Sequence, residues 1–172
     1  MTDVTATPCA VRRIRPSDTA RMRAMRIEML ADTPLAFLET LAEAAARPHA
    51  EFAARVARVS AGDEVAQFVA EVDGRFVAHA GGVVSPDEPT LTVVYAVYVT
   101  PEHRGSGVLR ALLDSVARWS RAAGRPELML EVVIGNDRAV RAYERLGFVD
   151  TGVRVPHPTI PVLTELQMRR AA

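Results

Sequence analysis

The chain has 172 residues, 49% of them apolar, which is enough for one domain with a real core and too few for two comfortable ones. Its 21 basic residues are all arginine and balance 21 acidic ones, so no net field favours nucleic acid or a membrane surface as partner. Cys9 stands alone, which excludes an internal disulfide and a cysteine-built metal site, and the four scattered histidines have no metal-ligand spacing. The opening M-T-D-V-T-A-T-P carries an acid and no apolar run, so no signal peptide is expected, and no stretch is long enough to span a bilayer. A reducing cytoplasm is the expected compartment, with Cys9 a small buried residue in a first strand.

Residues 9 to 15 read as that strand, and Pro16-Ser17-Asp18 as the start of a helix that buries Met22, Met25, Met29 and Leu30 on one face. Asp32-Thr33-Pro34 breaks it. Residues 37 to 46 can be helical, and Pro48 opens another helix carrying Phe52, Val56 and Val59 and ending at Gly62. Val65 to Val72 and Arg75 to Val84 are β-rich runs joined by Asp73-Gly74, a two-residue type I′ turn, and Leu91 to Val99 follows as a third strand of the meander. A helix from about Gly107 to Gly124 comes next, then a strand from Leu128 to Ile134. Asn136 is placed to cap a short helix that ends at Gly147, with Ala139, Val140, Tyr143 and Leu146 on one face. Strand, helix, strand, helix implies a local parallel unit with a right-handed crossover. A strand from Phe148 to Val153, a rigid loop at 156 to 161 and a last strand from Val162 to Met168 complete the single domain, residues 1–172.

The junction from Tyr95 to Leu113 concentrates the chemistry. An apolar strand stops at Pro101, the loop Glu102-His103-Arg104-Gly105-Ser106-Gly107 turns, and a helix begins. Such a loop leaves the first helical N–H groups unpaired, two glycines let a ligand approach without meeting a Cβ, and Arg104 adds positive charge: a site for a phosphate or pyrophosphate. Read alone, the loop is equally an ordinary strand-to-helix turn. It is neither the nucleotide P-loop nor the dinucleotide fingerprint.

Two patterns at a readable separation, V-x-P-E-x-R-G-x-G-V-x-x-x-L-L and L-x-L-E-V-x-x-x-N-x-x-A-x-x-x-Y-x-x-L-G-F, resemble the GNAT family of Gcn5-related N-acetyltransferases. The resemblance covers the C-terminal two-thirds; the first 62 residues match only in position and helical character. It implies an α/β fold of the α+β type, a mixed, mostly antiparallel sheet of six or seven strands flanked by helices, using acetyl-CoA as cosubstrate and no metal. A bulge in the strand ending near Val99 would splay it from the strand holding Glu131. Backbone groups of Val97, Tyr98 and Val99 would meet the pantetheine arm, and amides from Arg104 through Gly105, Ser106, Gly107 and Val108 to Leu109 would cradle the pyrophosphate, with Asn136 nearby. The family loop usually carries a small residue where this chain has Leu109; the amide survives, while the side chain either crowds the cradle or faces the core.

The same resemblance places Tyr143 as the acid for the leaving thiolate and Glu131 as a base, acting directly or through water. Tyr95, Tyr98, Glu71 and His79 are lesser candidates for the acceptor side. His79 reads as a satisfied structural histidine, His103 and His157 as solvated loop residues, and Arg138 and Arg141 as surface charge within reach of phosphates. The expected activity is direct acetyl transfer to a primary amine of a small molecule or a protein N-terminus, with no nucleic-acid or membrane partner; a homodimer is compatible with the family. The competing reading is a non-catalytic acyl-CoA-binding module of the same fold. A strongly cationic acceptor would call for an acidic lining, and residues 31 to 49 offer only Asp32, Glu39 and Glu43, too few to select one.

Overall fold

The computed structural model describes residues 9–172. The opening segment read for a leader, residues 1–8, lies outside them. In chain order the elements are β1 (Ala10–Arg13), α1 (Thr19–Asp32), α2 (Leu41–Ala46), α3 (His49–Val59), β2 (Val65–Val72), β3 (Arg75–Val84), β4 (Leu91–Val99) and α4 (Val108–Ala122). The chain continues through β5 (Glu127–Val133), α5 (Asp137–Arg145), β6 (Val149–Pro156) and β7 (Thr164–Ala171).

The seven strands form one sheet in the order β1-β2-β3-β4-β5-β7-β6. Every neighbouring pair is antiparallel except β4 and β5. That parallel pair needs a crossover, which α4 supplies, and it is the local parallel unit the sequence implied. The next strand in sequence does not extend it, because β7 inserts between β5 and β6. The sheet is therefore mixed and mostly antiparallel, as expected. Asp73 and Gly74 both take positive φ, 50° and 78°, as a type I′ hairpin requires.

Each face of the sheet carries its own apolar cluster. On one side α4 lays Val108, Leu112, Leu113 and Val116 against Ala78, Ala80, Leu128 and Leu130. On the other, the α1 stripe of Met22, Met25, Met29 and Leu30 packs with Val56, Val59, Val69 and Phe76. Two adjacent glycines on β3 make both layers fit. A Cβ on Gly82 would come within 2.9 Å of the Trp119 ring on α4, and one on Gly81 within 2.4 Å of the Tyr95 ring on the opposite face.

Asp18 fastens the first helix. Its fully buried carboxylate accepts from Arg12 at 2.7 Å, from Arg21, and from the Arg15 amide at 2.8 Å, and these donors hold its pKa down to about 2.

Three expectations are corrected. Cys9 is exposed, just ahead of β1 and not within it. The segment from 37 to 46 is helical only from Leu41, because Pro34–Ala36 forms a separate 3-10 turn and Thr40 caps the helix proper by accepting from the Glu43 amide. The last strand begins at Thr164, since the preceding proline-rich loop extends through Leu163. No helix among the described residues is long and apolar enough to cross a membrane.

Candidate functional site

β4 and β5 run side by side only from Leu91 opposite Glu127 to Val93 opposite Met129. Beyond Val93 they part, and the β5-facing edge of β4 is left unpaired. The divergence has a visible cause. The register between β3 and β4 shifts between His79 and Gly81, where Ala96 takes a left-handed φ of 49°. The Ala96 carbonyl, turned out of the ladder, accepts from His79 Nδ1 at 2.6 Å. His79 is wholly buried, which lowers its pKa to about 4 and leaves a neutral ring with its proton on Nδ1; Nε2 has no partner among the described residues. The expectation of a satisfied histidine thus holds for one ring nitrogen.

The parting strands open a cleft of about 740 Å³. Val97, Tyr98, Val99, Arg104, Gly105, Gly107, Val108, Leu109, Glu131, Asn136 and Tyr143 all line it. Ser106 does not; its hydroxyl turns back to donate to the His103 carbonyl at 2.6 Å.

At one end stands the glycine loop. Gly105 and Gly107 have φ of 78° and 88° with open space around both. The first helical hydrogen bond runs from the Ala111 amide to the Gly107 carbonyl, 3.2 Å, so the amides of Val108, Leu109 and Arg110 precede any carbonyl that could accept them. Together with the helix dipole they present partial positive charge to the cleft. The Leu109 side chain packs half-buried against the α4 core, which leaves its amide clear. Arg104 departs from expectation. Its Nε donates to the Val99 carbonyl at 3.0 Å and its guanidinium pairs with Asp32, so the side chain ties the loop to the end of α1 and is already spoken for.

Tyr143 enters from the α4/α5 face. Its ring meets Phe148 edge-on at 5.8 Å, and desolvation pushes its phenol well above the ordinary range, so it carries its proton at neutral pH. Asn136 caps α5 by accepting from the Ala139 amide at 3.3 Å. Glu131 lies on the other face of β5, exposed, because Leu130 and Val132 alternate inward with α4.

The acidic residues between 31 and 49 are engaged in the fold. Asp32 holds Arg104, Glu39 holds Arg26 and Arg47, and Glu43 binds the Thr40 amide of its own helix. Glu71 bridges Arg12 and Arg21 and is a structural residue. Arg138 lines the cleft, but Arg141 does not. His157 is corrected outright. It is buried, and its Nδ1 accepts from the Thr159 and Ile160 amides at 3.2 and 3.1 Å. Glu165, which no sequence pattern singles out, lines the same cleft as Tyr143 and Glu131.

Residues 27–148 match the model of the Acetyltransferase (GNAT) family. The chain belongs to this family. A mycothiol acetyltransferase of Nocardiopsis dassonvillei is 44% identical over 82 residues, 46% of this chain and 25% of that protein. A streptothricin acetyltransferase of Streptomyces lavendulae is 40% identical over 57 residues, 33% of this chain and 30% of that one. Both matches therefore span a third or less of the relative. A GNAT acetyltransferase structure from Streptococcus pneumoniae superposes with a TM-score of 0.79, covering 96% of this chain and 100% of that one at 15% identity, a likeness of fold.

Proposed function

We propose that residues 1–172 act as one acetyl-CoA-dependent N-acetyltransferase domain, transferring an acetyl group to a primary amine. The observation that carries this is the gap between β4 and β5, with free amides at the head of α4, unpaired strand edge along one wall and a protonated Tyr143 at the side. Bound acetyl-CoA would supply an activated acetyl thioester. The amides of Val108 and Leu109, freed by the turn at Gly105 and Gly107, suit its pyrophosphate. The open edge of β4 at Val97 and Val99 suits amide groups along its arm.

Tyr143 then donates a proton to the departing thiolate, and its desolvated site keeps that proton in place until it is needed. The amine's proton leaves to a carboxylate of the cleft, Glu131 being the one the sequence pattern offers, directly or through water. Small-molecule acceptors are favoured over protein termini, because the mycothiol and streptothricin acetyltransferases are named for small molecules.

Release of free thiol from acetyl-CoA, followed against a panel of amino acids, amino sugars, polyamines and N-terminal peptides, tests this reading. Turnover with at least one amine is expected. Tight CoA binding with no turnover on any of them would make the chain a binding module instead.

A further inference from the structure

Glu165 is absent from both sequence patterns and from every expectation drawn from them, yet the fold seats it at the reaction gap. It lies opposite Val133 across the antiparallel β5–β7 ladder, and Glu131 lies two residues back on the same strand. Cross-strand partners and i, i+2 residues share a face of the sheet. Leu166 and Met168 turn to the α4 core, so Glu165 and Glu131 turn together to the opposite face. Tyr143 approaches from the α4/α5 side. The cleft therefore has a proton donor on one side of the sheet and two carboxylates on the other.

The two carboxylates are not equivalent. Glu131 is exposed, whereas the Glu165 side chain is only 12% exposed. Behind Glu165 lies His157, whose side chain is 1% exposed and whose Nε2 is 4.0 Å from Glu165 Oε1. The loop from His157 to Leu163 fixes the ring. Nδ1 accepts from two backbone amides and so carries no proton, which leaves the ring N–H on Nε2, facing the carboxylate. The loop itself is closed by the His157 amide on the Leu163 carbonyl, 2.9 Å, immediately before β7.

We infer that Glu165 is the catalytic group that takes the proton of the acceptor amine, with His157 as its positioning residue. The inference rests on the acetyltransferase reading above. An ammonium entering from the Glu131 side gives one proton to a Glu165 oxygen. The freed nitrogen pair forms the N–C bond as the C–S bond breaks and Tyr143 protonates the thiolate; of the two protons left on nitrogen one stays as the amide N–H and the other returns through solvent to the phenolate, while Glu165 releases its proton to solvent as the net proton of the reaction. Two carboxylates on one face make the first proton transfer easier. Burial raises the Glu165 pKa, which makes it a better base; His157 draws it part of the way back, and the charge of Glu131 adds a smaller rise. His157 from the loop and Glu131 from β5 are the titratable groups that face it.

The test is the pH dependence of acetyl-CoA turnover, from pH 5.5 to 9.5, with whichever panel amine the wild type acetylates best. Glu165→Gln should lower kcat/KM for the amine about 100-fold, within the usual reach of general-base catalysis, and should remove the ionisation on the acidic limb of the profile. KM for acetyl-CoA should stay within about two-fold of wild type. Glu165→Asp, which keeps a carboxylate, should retain that limb at reduced rate, and this separates loss of the base from loss of the fold. His157→Asn, whose Oδ1 can replace the Nδ1 acceptor but cannot reach Glu165, should move the limb to higher pH. An unchanged limb and rate in Glu165→Gln, with the limb lost in Glu131→Gln, would overturn the assignment and leave the acetyltransferase reading standing. Failure of the wild type on every amine would overturn both.

Discussion

His79 Nδ1 donates to the carbonyl of Ala96 at 2.6 Å, at the register shift beyond which β4 no longer pairs with β5. Ala96 carries a φ of 49°, a conformation that costs a residue with a Cβ roughly 1–2 kcal/mol. A fixed donor on the neighbouring strand offsets that cost. His79→Leu should leave the Ala96 carbonyl without its donor and destabilise the fold by about 1–3 kcal/mol. Acetyl-CoA binding should weaken in parallel, about 10-fold, while His79→Asn, with a shorter amide donor, should recover part of it. Thermal unfolding and calorimetric titration with CoA check both effects.

The same histidine gives the protein an acid-sensitive window. Its folded pKa is depressed to about 4 from 6.5, so between those values the unfolded chain binds a proton that the native one refuses. Stability should therefore be complete above about pH 6.5 and fall as pH drops towards 4, by up to about 3 kcal/mol. Below pH 4 a second loss begins. Asp18 is held to about 2 from 3.8 by Arg12, and its contribution of about 2 kcal/mol disappears only as pH falls through that lower value. Denaturant midpoints from about pH 1.5 to 8 should show the first step vanish in His79→Leu and the second in Asp18→Asn.

Tyr143→Phe keeps the ring packed on Phe148 and removes only the hydroxyl. A fall in kcat of about 10²–10⁴ is expected, with CoA affinity and melting temperature close to wild type. Equal losses in kcat and in CoA binding would instead mean that the hydroxyl serves the cosubstrate's seat.

Gly107 separates the cradle from the fold. A side chain there meets no atom of the described residues within 4 Å, so its structural cost is that of a φ of 88°, about 1–2 kcal/mol. Gly107→Asp adds a negative charge beside the free amides of α4. CoA affinity should fall at least 10-fold more than in Gly107→Ala, an excess that added salt reduces.

Gly81→Ala tests whether Tyr95 serves the acceptor. The new Cβ would lie 2.4 Å from the Tyr95 ring, whose hydroxyl accepts from Gln67 Nε2 at 3.1 Å. Tyr95 must swing off β3 and lose that bond, with about 1–3 kcal/mol of stability. The amine KM should rise while the acetyl-CoA KM holds.

Local signals account for most of the elements and for the order of the cleft residues along the chain. Asp73-Gly74, the period-2 strands around it, the glycine pair before α4 and the Asn136 cap are local devices, so β2, β3, β4 and α5 fall within a residue or two of expectation. The residues around the cleft were legible for the same reason, because free amides at a helix start and a tyrosine on a short helix are short-range facts. Tertiary structure decided where the remaining charges go. Arg104 is drawn to Asp32, 72 residues away, and Glu71 to Arg12, 59 residues away, and no local pattern can report partners at that separation. The bulge at Ala96 needs His79 from another strand, and Glu165 reaches the gap only because β7 inserts beside β5. Alternation fixes which residues of a strand share a face; only the packing of the sheet says what that face meets.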